Sequence, residues 1–327
     1  MAQAPGTRTR FPVSAALHLG AVVLASGPLI LTAFGVGGQD VHVLCHGTGA
    51  DPGVPASTAW ALSFWSGLLL PAVLAGLLLH GPRRGTLMAV SAPGAVLSIG
   101  LFTTALLPGD DPCAEPFPPA APLWTLVICY PAAMAALLLA SRSPLPRRRH
   151  RILPWTAAAG AAAWTPLTSR LPASTESFLS VGNYIESFWG PLVRWSRDAE
   201  ALGLPIVLVA LAATAKGTVS DRRGRLVGAA FAAVLLLFAL LDVVAYVSLC
   251  GIDFRVNPAG LIRWHLLLAA VLILLAGRAQ RRAVSPADVS DRSRTAPPGR
   301  PREIALAVVI VAGAIWLVVS SFAPTSP

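Results

Sequence analysis

Charged residues are scarce in this sequence. Only 12% of its 327 residues are Asp, Glu, Lys or Arg, whereas 55% are hydrophobic and the mean hydropathy is +0.67. A water-soluble protein of this size does not have enough interior to bury so much apolar side chain. The composition therefore argues against a soluble protein and predicts a chain embedded in a lipid bilayer.

The sequence motifs of nucleotide and metal chemistry are also absent. There is no Gly-rich phosphate-binding loop that ends in Lys, no His-Glu-x-x-His, no Gly-x-Ser-x-Gly and no pair of Cys-x-x-Cys elements. We therefore predict no cofactor and no bound metal, and an enzyme is not the favoured interpretation. If the protein drives transport, a separate ATPase, another membrane subunit or an ion gradient must supply the energy.

The sequence does contain long apolar runs, and the loops between them alternate in charge. Most of the 25 Lys and Arg residues lie in short clusters, such as 142–151 and 216–225, and acidic loops such as 109–115 lie between such clusters. Basic loops tend to stay in the cytoplasm, so the alternation predicts a chain threaded back and forth through the membrane. The net charge of +10 then faces anionic lipid headgroups, and we expect no nucleic-acid partner.

The apolar runs predict an all-α polytopic bundle of about nine transmembrane helices, with the N-terminus in the cytoplasm and the C-terminus outside. The predicted spans are 11–36, 58–80, 86–107, 121–140, 152–168, 201–215, 226–248, 260–276 and 304–322. Two of them, 152–168 and 201–215, are short for a hydrocarbon core of about 30 Å. We favour two crossings there, because the basic clusters on either side should share one side of the membrane.

The remaining segments complete the predicted organisation. Residues 1–10 form a cytoplasmic tail, and 11–276 form a membrane bundle of about eight helices. Within that bundle, 174–197 has apolar residues at spacings of three or four, which predicts an amphipathic helix in the outer interface that either caps the bundle or acts as a lid. Residues 277–302 predict a disordered basic cytoplasmic linker, and 303–327 hold the ninth helix and a short outer tail.

The amino-acid usage also indicates a source. Arg far outnumbers Lys, and Ala, Gly and Pro are abundant. This bias is typical of a GC-rich bacterial genome, so we predict a multi-pass protein of a bacterial plasma membrane.

Ionisable residues inside the predicted spans are the best functional candidates, because each costs at least about 2.5 kcal/mol unless it is paired or hydrated. Asp242 lies about 9 Å from the outer end of the seventh span, and Arg263 about 5 Å into the eighth. These antiparallel neighbours allow a buried Asp242–Arg263 pair, which either fixes two helices or lines a proton, ion or substrate site that includes Tyr246. His265 is expected on the opposite side of its helix from Arg263, unable to share one small partner with it.

Three cysteines fall in predicted outer loops, where disulfides can form. We predict a disulfide between Cys45 and Cys113, because both lie in long loops. Cys250 would then be a free thiol near Arg263 and His265. An outer-face cysteine enzyme needs a thiolate, a base and a cation, so these three residues are catalytic candidates, although a structural role for Cys250 is the simpler hypothesis.

Three classes of function remain open from the sequence. A transporter or permease for a small molecule or a lipid is favoured by the nine spans and the deep carboxylate. A non-catalytic assembly, accessory or immunity protein is favoured by the scarcity of polar residues within the spans. A membrane enzyme acting on a lipid-linked or peptide substrate is favoured by the polar residues near Cys250.

Overall fold

The described part of the chain contains α-helices and no β-strand. The computed structural model describes residues 13–34, 58–80, 84–106, 124–142, 152–168, 189–219, 221–250 and 261–278. Their helices are α1 (Val13–Ala25), α2 (Gly27–Ala33), α3 (Thr58–His80), α4 (Arg84–Leu106), α5 (Trp124–Ser141), α6 (Leu153–Ala162), α7 (Trp164–Thr168), α8 (Gly190–Ala201), α9 (Leu204–Thr218), α10 (Asp221–Cys250) and α11 (Trp264–Arg278). The predicted all-α class is confirmed for these residues, and helices suit a bilayer because they satisfy their own backbone groups.

Three of these helices, α4, α5 and α10, are long and apolar enough to cross a membrane. The bent pairs α1 with α2 and α8 with α9, with bends of 56° and 69°, raise the number of candidate spans to five if each pair is one span. Shorter apolar stretches lie in α3 and α11, at Phe64–Leu79 and Trp264–Gly277. The apolar helices indicate a membrane-embedded protein. The predicted linker at 277–302, apart from its first two residues, and the predicted ninth helix lie outside the described residues.

Helix α9 forms the centre of the bundle. It contacts α1, α3, α6, α10 and α11, and most of its side chains are buried, including Ile206, Val209 and Ala213. Its 15 residues cover about 22 Å. Its many alanines allow neighbouring helices to approach closely. One of the two short runs in the sequence is therefore the element around which the others pack.

Two predicted single spans are broken in the structure. The predicted helix at 11–36 is interrupted at Ser26, whose hydroxyl donates to the Val22 carbonyl (2.8 Å), and Pro28 lies in the first turn of α2. The predicted span at 152–168 is divided into α6 and α7, and Pro166 follows that break. Proline favours such breaks, because it has no N–H to donate and its ring obstructs the preceding turn.

The break between α8 and α9 depends on Gly203. Its φ of 78° is left-handed, a conformation in which a side chain is strained. A Cβ at this position would also overlap the side chain of Leu68 in α3. The chain therefore bends sharply here, and the C-terminal end of α8 comes to lie at the N-terminal end of the central helix.

Helix α8 covers part of the bundle with its apolar face. Val193 packs with Leu241 and Ala245 of α10, and the Trp195 indole N–H donates to the Ala33 carbonyl at the end of α2 (2.9 Å). It begins at Gly190, inside the predicted amphipathic segment at 174–197, and Pro191 lies in its first turn. The first part of that segment, up to 188, lies outside the described residues.

Candidate functional site

Asp242 and Arg263 form an ion pair between α10 and the turn that precedes α11. The Arg263 guanidinium donates through Nε to Asp242 Oδ2 and through Nη2 to Oδ1, both at 3.2 Å. The Arg263 backbone N–H also donates to the Ala239 carbonyl of α10 (3.1 Å). Both charged side chains are about nine-tenths buried, with exposures of 9% and 10%. The structure thus places together the two residues that the sequence suggested as a pair.

A second carboxylate, that of Glu200, lies on the other side of Arg263. Arg263 Nη1 donates to Glu200 Oε2 at 2.7 Å, and the Glu200 side chain is only 4% exposed. One turn earlier on α8, the Ser196 hydroxyl accepts from Arg263 Nη2 (3.0 Å) and donates to the Val193 carbonyl (2.8 Å). Arg263 is therefore held between carboxylates from two helices.

The second oxygen of Glu200 contacts His265 and Thr165. His265 Nε2 lies 2.6 Å from Glu200 Oε1, and the Thr165 hydroxyl donates to the same oxygen. Thr165 Oγ1 and His265 Nε2 are themselves 3.0 Å apart. These three side chains are in mutual contact beside the Arg263 pair.

The expectation that Arg263 and His265 cannot share a small partner is wrong. Each of them contacts one oxygen of the Glu200 carboxylate. The expectation assumed that both residues lie on one regular helix. Arg263 instead lies in the turn before Trp264, where α11 begins, so helical spacing does not fix the relative direction of the two side chains.

The network extends to the edge of the bundle through Arg197. Its Nη2 lies 3.5 Å from Asp242 Oδ2, and its side chain is 29% exposed. We call the connected residues the polar cluster: Thr165, Ser196, Arg197, Glu200, Asp242, Arg263 and His265. Its two arginines balance its two carboxylates, so the polar cluster is formally neutral when His265 is neutral.

Helix ends from three parts of the chain meet at the polar cluster. Thr165 belongs to α7, just after the break that separates it from α6; Glu200 ends the buried face of α8, three residues before Gly203; and Arg263 immediately precedes α11. Helix ends carry backbone groups without intrahelical partners. Glu200, Arg263 and His265 therefore lie close to helix ends, whereas Asp242 contributes from within α10.

The remaining predicted site residues are distributed differently. Tyr246 is buried, one turn beyond Asp242 on α10. Cys250 is the last residue of α10, about 12 Å along the helix from Asp242, and its side chain lies outside the described residues. Cys45 and Cys113, the predicted disulfide, also lie outside them. The two residues suggested as helpers of a Cys250 thiolate, Arg263 and His265, contact Glu200.

Glu200 and Thr165 are the main site residues that the sequence analysis missed. Glu200 lies immediately before the predicted span at 201–215, so it is not among the ionisable residues inside the predicted spans. A signal was nevertheless present, because Ser196 and Glu200 are four residues apart and follow Val193 by three and seven, so they share one helical face with an apolar residue. Thr165 carries no comparable signal, since it lies in an ordinary apolar run.

The polar cluster has the side chains for ion pairing and for proton exchange at an imidazole and two carboxylates. Within the ranges that the structure describes, no group of three or more His, Cys, Asp or Glu residues could hold a metal ion. No protein-family model, no curated protein and no solved structure matches this chain.

Proposed function

We propose that this chain is a multi-pass transporter or permease for a small molecule or a lipid in a bacterial plasma membrane. The proposed topology has about nine spans, a cytoplasmic N-terminus and an outer C-terminus, with α8 near the outer face. The observation that carries the proposal is the polar cluster, a charged network at the point where the ends of three helices meet inside an apolar bundle.

The energetics of buried charge support this proposal. An ionisable group inside a membrane costs at least about 2.5 kcal/mol unless it is paired or hydrated. A single ion pair would suffice to lock two helices, yet this bundle adds Glu200 and His265 to the Asp242–Arg263 pair. In transporters, charged groups and broken helices near the middle of the membrane commonly form the site for substrate and coupling ions.

The geometry also suggests different roles for the two carboxylates that bind Arg263. Arg263 is shared between Glu200 and Asp242, which belong to α8 and α10. If α8 moves away from α10 about the Gly203 bend, Arg263 retains Asp242 and releases Glu200. We therefore propose that this exchange of partners opens and closes the access to the site, and that α8 is the moving lid.

A second candidate function is a non-catalytic assembly, accessory or immunity protein. It is favoured by one observation, the double attachment of Arg263 to α10 through its backbone N–H and its guanidinium. Such an attachment suits a permanent helix lock. An outer-face enzyme is less well supported, because Arg263 and His265 already engage Glu200.

Loss of the Asp242 charge tests the proposal. Cells that lack the protein are compared with cells producing the wild type, Asp242→Asn or Asp198→Asn, by profiling small molecules and lipids inside and outside the cells. We expect the wild type and Asp198→Asn, a control on α8 outside the polar cluster, to restore the profile. Asp242→Asn should reach the membrane at a normal level and fail to restore it.

Other outcomes would oppose transport. An unchanged profile in cells without the protein would contradict it directly. If the Asp242→Asn protein is missing from the membrane, and its cells have the same profile as cells that lack the protein altogether, the assembly role would be favoured. Full restoration of the profile by Asp242→Asn would show that the polar cluster is not the transport site.

A further inference from the structure

The contact between His265 and Glu200 requires a proton between the two groups. His265 Nε2 and Glu200 Oε1 are 2.6 Å apart, and both atoms are acceptors when neither carries a hydrogen. The Thr165 hydroxyl already donates to Oε1, so that oxygen accepts. The Arg263 guanidinium on the other oxygen favours an ionised Glu200, so we assign the hydrogen to His265 Nε2. The second ring nitrogen of the neutral imidazole, Nδ1, then keeps a lone pair that can take another proton.

The charged groups around a neutral His265 sum to zero, so no excess positive charge opposes the binding of one additional proton. The elements packed around the ring contribute the following charged groups: Glu200 and Arg197 from α8, Asp242 from α10, and Arg263 from the turn before α11. Helices α6 and α7 contain no Asp, Glu, Lys, Arg or His, and the one charged residue of α9, Lys216, lies at the far end of that helix. Protonation of His265 changes the polar cluster from neutral to a charge of about +1.

His265 is also placed between Glu200 and the edge of the bundle. Its side chain is 20% exposed, whereas that of Glu200 is 4% exposed. His265 is therefore the member of the pair that reaches the surface of the bundle, and a proton that arrives there does not have to cross the ion pairs of Arg263. The imidazole thus connects the buried Glu200 carboxylate to the surface of the bundle, which the carboxylate does not reach by itself.

We propose that His265 and Glu200 form a proton-binding site and that the proton is the coupling ion of this protein. In the binding step a hydronium ion gives its proton to His265 Nδ1 and leaves as water. No other bond is made or broken, and no electrons are exchanged. The coupling role rests on the proposed transport function, whereas proton binding by itself does not.

Proton binding would act on the attachment of α8 through the shared carboxylate. An imidazolium binds Glu200 through a charge-assisted hydrogen bond, which is roughly twice as strong as a neutral one. The imidazolium and the Arg263 guanidinium then hold different oxygens of Glu200 from the same side, at the start of α11. Proton binding therefore strengthens the attachment of α8 and favours the closed state, and loss of the proton favours the opening proposed above.

The test is nitrogen NMR of histidine-labelled full-length protein in lipid nanodiscs, with the His265 signals identified by their loss in His265→Gln. In the wild type we expect a neutral ring whose hydrogen is on Nε2 at high pH, and an added proton on Nδ1 as the pH is lowered. In Glu200→Gln the ratio of imidazolium to neutral ring should fall about tenfold or more at a given pH, because the stabilising carboxylate is gone. Asp198→Asn, on the same helix but outside the polar cluster, should leave the ratio unchanged.

The wild-type spectrum tests the proton site by itself, even if Glu200→Gln does not fold. A His265 ring that is protonated on Nδ1 when neutral, or that keeps one form over the whole pH range, would overturn the proton site. An equal ratio in wild type and a folded Glu200→Gln would do the same. Because NMR requires no substrate, a proton site found in a protein without transport activity would refute the transport function alone.

Discussion

At the scale of single residues, Glu200 holds the site together. Its two oxygens bond to Arg263 on one side and to His265 and Thr165 on the other. The partners come from α7, α11 and the turn before α11, which are far from α8 in the sequence. A side chain of this kind can be satisfied only by the tertiary fold.

Loss of the Glu200 charge should therefore be costly. Glu200→Gln leaves the buried Arg263 with one fewer counter-charge, and breaking a buried ion pair from one side costs about 3 kcal/mol. We expect a clear decrease of the unfolding temperature of the purified protein in lipid. Asp198→Asn makes the same chemical change on the same helix and should have little effect. Equal effects of the two substitutions would show that Glu200 has no special role.

The interaction between Glu200 and Arg263 can be isolated by a double-mutant cycle. Glu200→Gln leaves Arg263 with Asp242 as its only carboxylate, and Arg263→Met leaves Glu200 without its guanidinium. The double variant removes both charges of the Glu200–Arg263 contact together. We expect the double variant to be more stable than the sum of the single effects predicts, by about 1–3 kcal/mol. Additive single effects in unfolding measurements would mean that the 2.7 Å contact contributes no coupling.

At the scale of the helices, the interruptions decide the shape of the site. The α8–α9 bend places Glu200 beside Arg263, and it requires the left-handed backbone of Gly203. The bend is therefore a structural condition for the polar cluster as well as the proposed hinge of the lid.

Gly203→Ala tests this condition. The new methyl group adds the strain of a left-handed residue, about 1–2 kcal/mol, and a clash with Leu68. We expect lower thermal stability and a loss of function. Gly160→Ala is the matched control, because a Cβ at Gly160 in α6 meets no atom within 4 Å, and Ala favours a helix over Gly by about 0.5–1 kcal/mol. A protein unharmed by Gly203→Ala would contradict the need for this backbone conformation.

The sequence predicts helix positions better than it predicts helix interruptions. The predicted spans at 58–80 and 86–107 correspond closely to α3 and α4, because hydropathy depends on length and composition. Hydropathy did not predict the breaks at Ser26 and Ala163, because a short polar or small residue before a proline changes the hydropathy of a span very little. The Asp242–Arg263 pair could be predicted because consecutive antiparallel helices are neighbours, whereas Glu200 depends on the packing of α8 across the bundle.

At the scale of the whole molecule, the central helix α9 separates two polar regions. The polar cluster lies near its N-terminal end, and the buried Lys216 lies in its last turn, about 20 Å away along the axis. In the proposed topology the first region faces the outside and the second faces the cytoplasm. A transport path along α9 would connect the two.

The topology itself can be measured by tags. A tag inserted near residue 174 should be accessible from outside intact cells, and one in the 277–302 segment should be accessible only after the membrane is permeabilised. The sign of the loop charges is the physical reason. A cytoplasmic tag near residue 174 would show that the nine-span topology is wrong.

Access to the polar cluster from the two sides of the membrane tests transport most directly. Ser196, which is fully buried beside Arg263, is replaced by cysteine, and its modification by a membrane-impermeant thiol reagent is measured by mass spectrometry in vesicles of each orientation. Arg194→Cys on the exposed face of α8 and Ala213→Cys in the core of α9 are controls for outer access and for unfolding. Alternating access predicts modification of position 196 from both sides, with position 194 modified only from outside and position 213 from neither. Modification of position 196 from neither side, in a folded protein, would contradict transport and make the polar cluster a static helix lock.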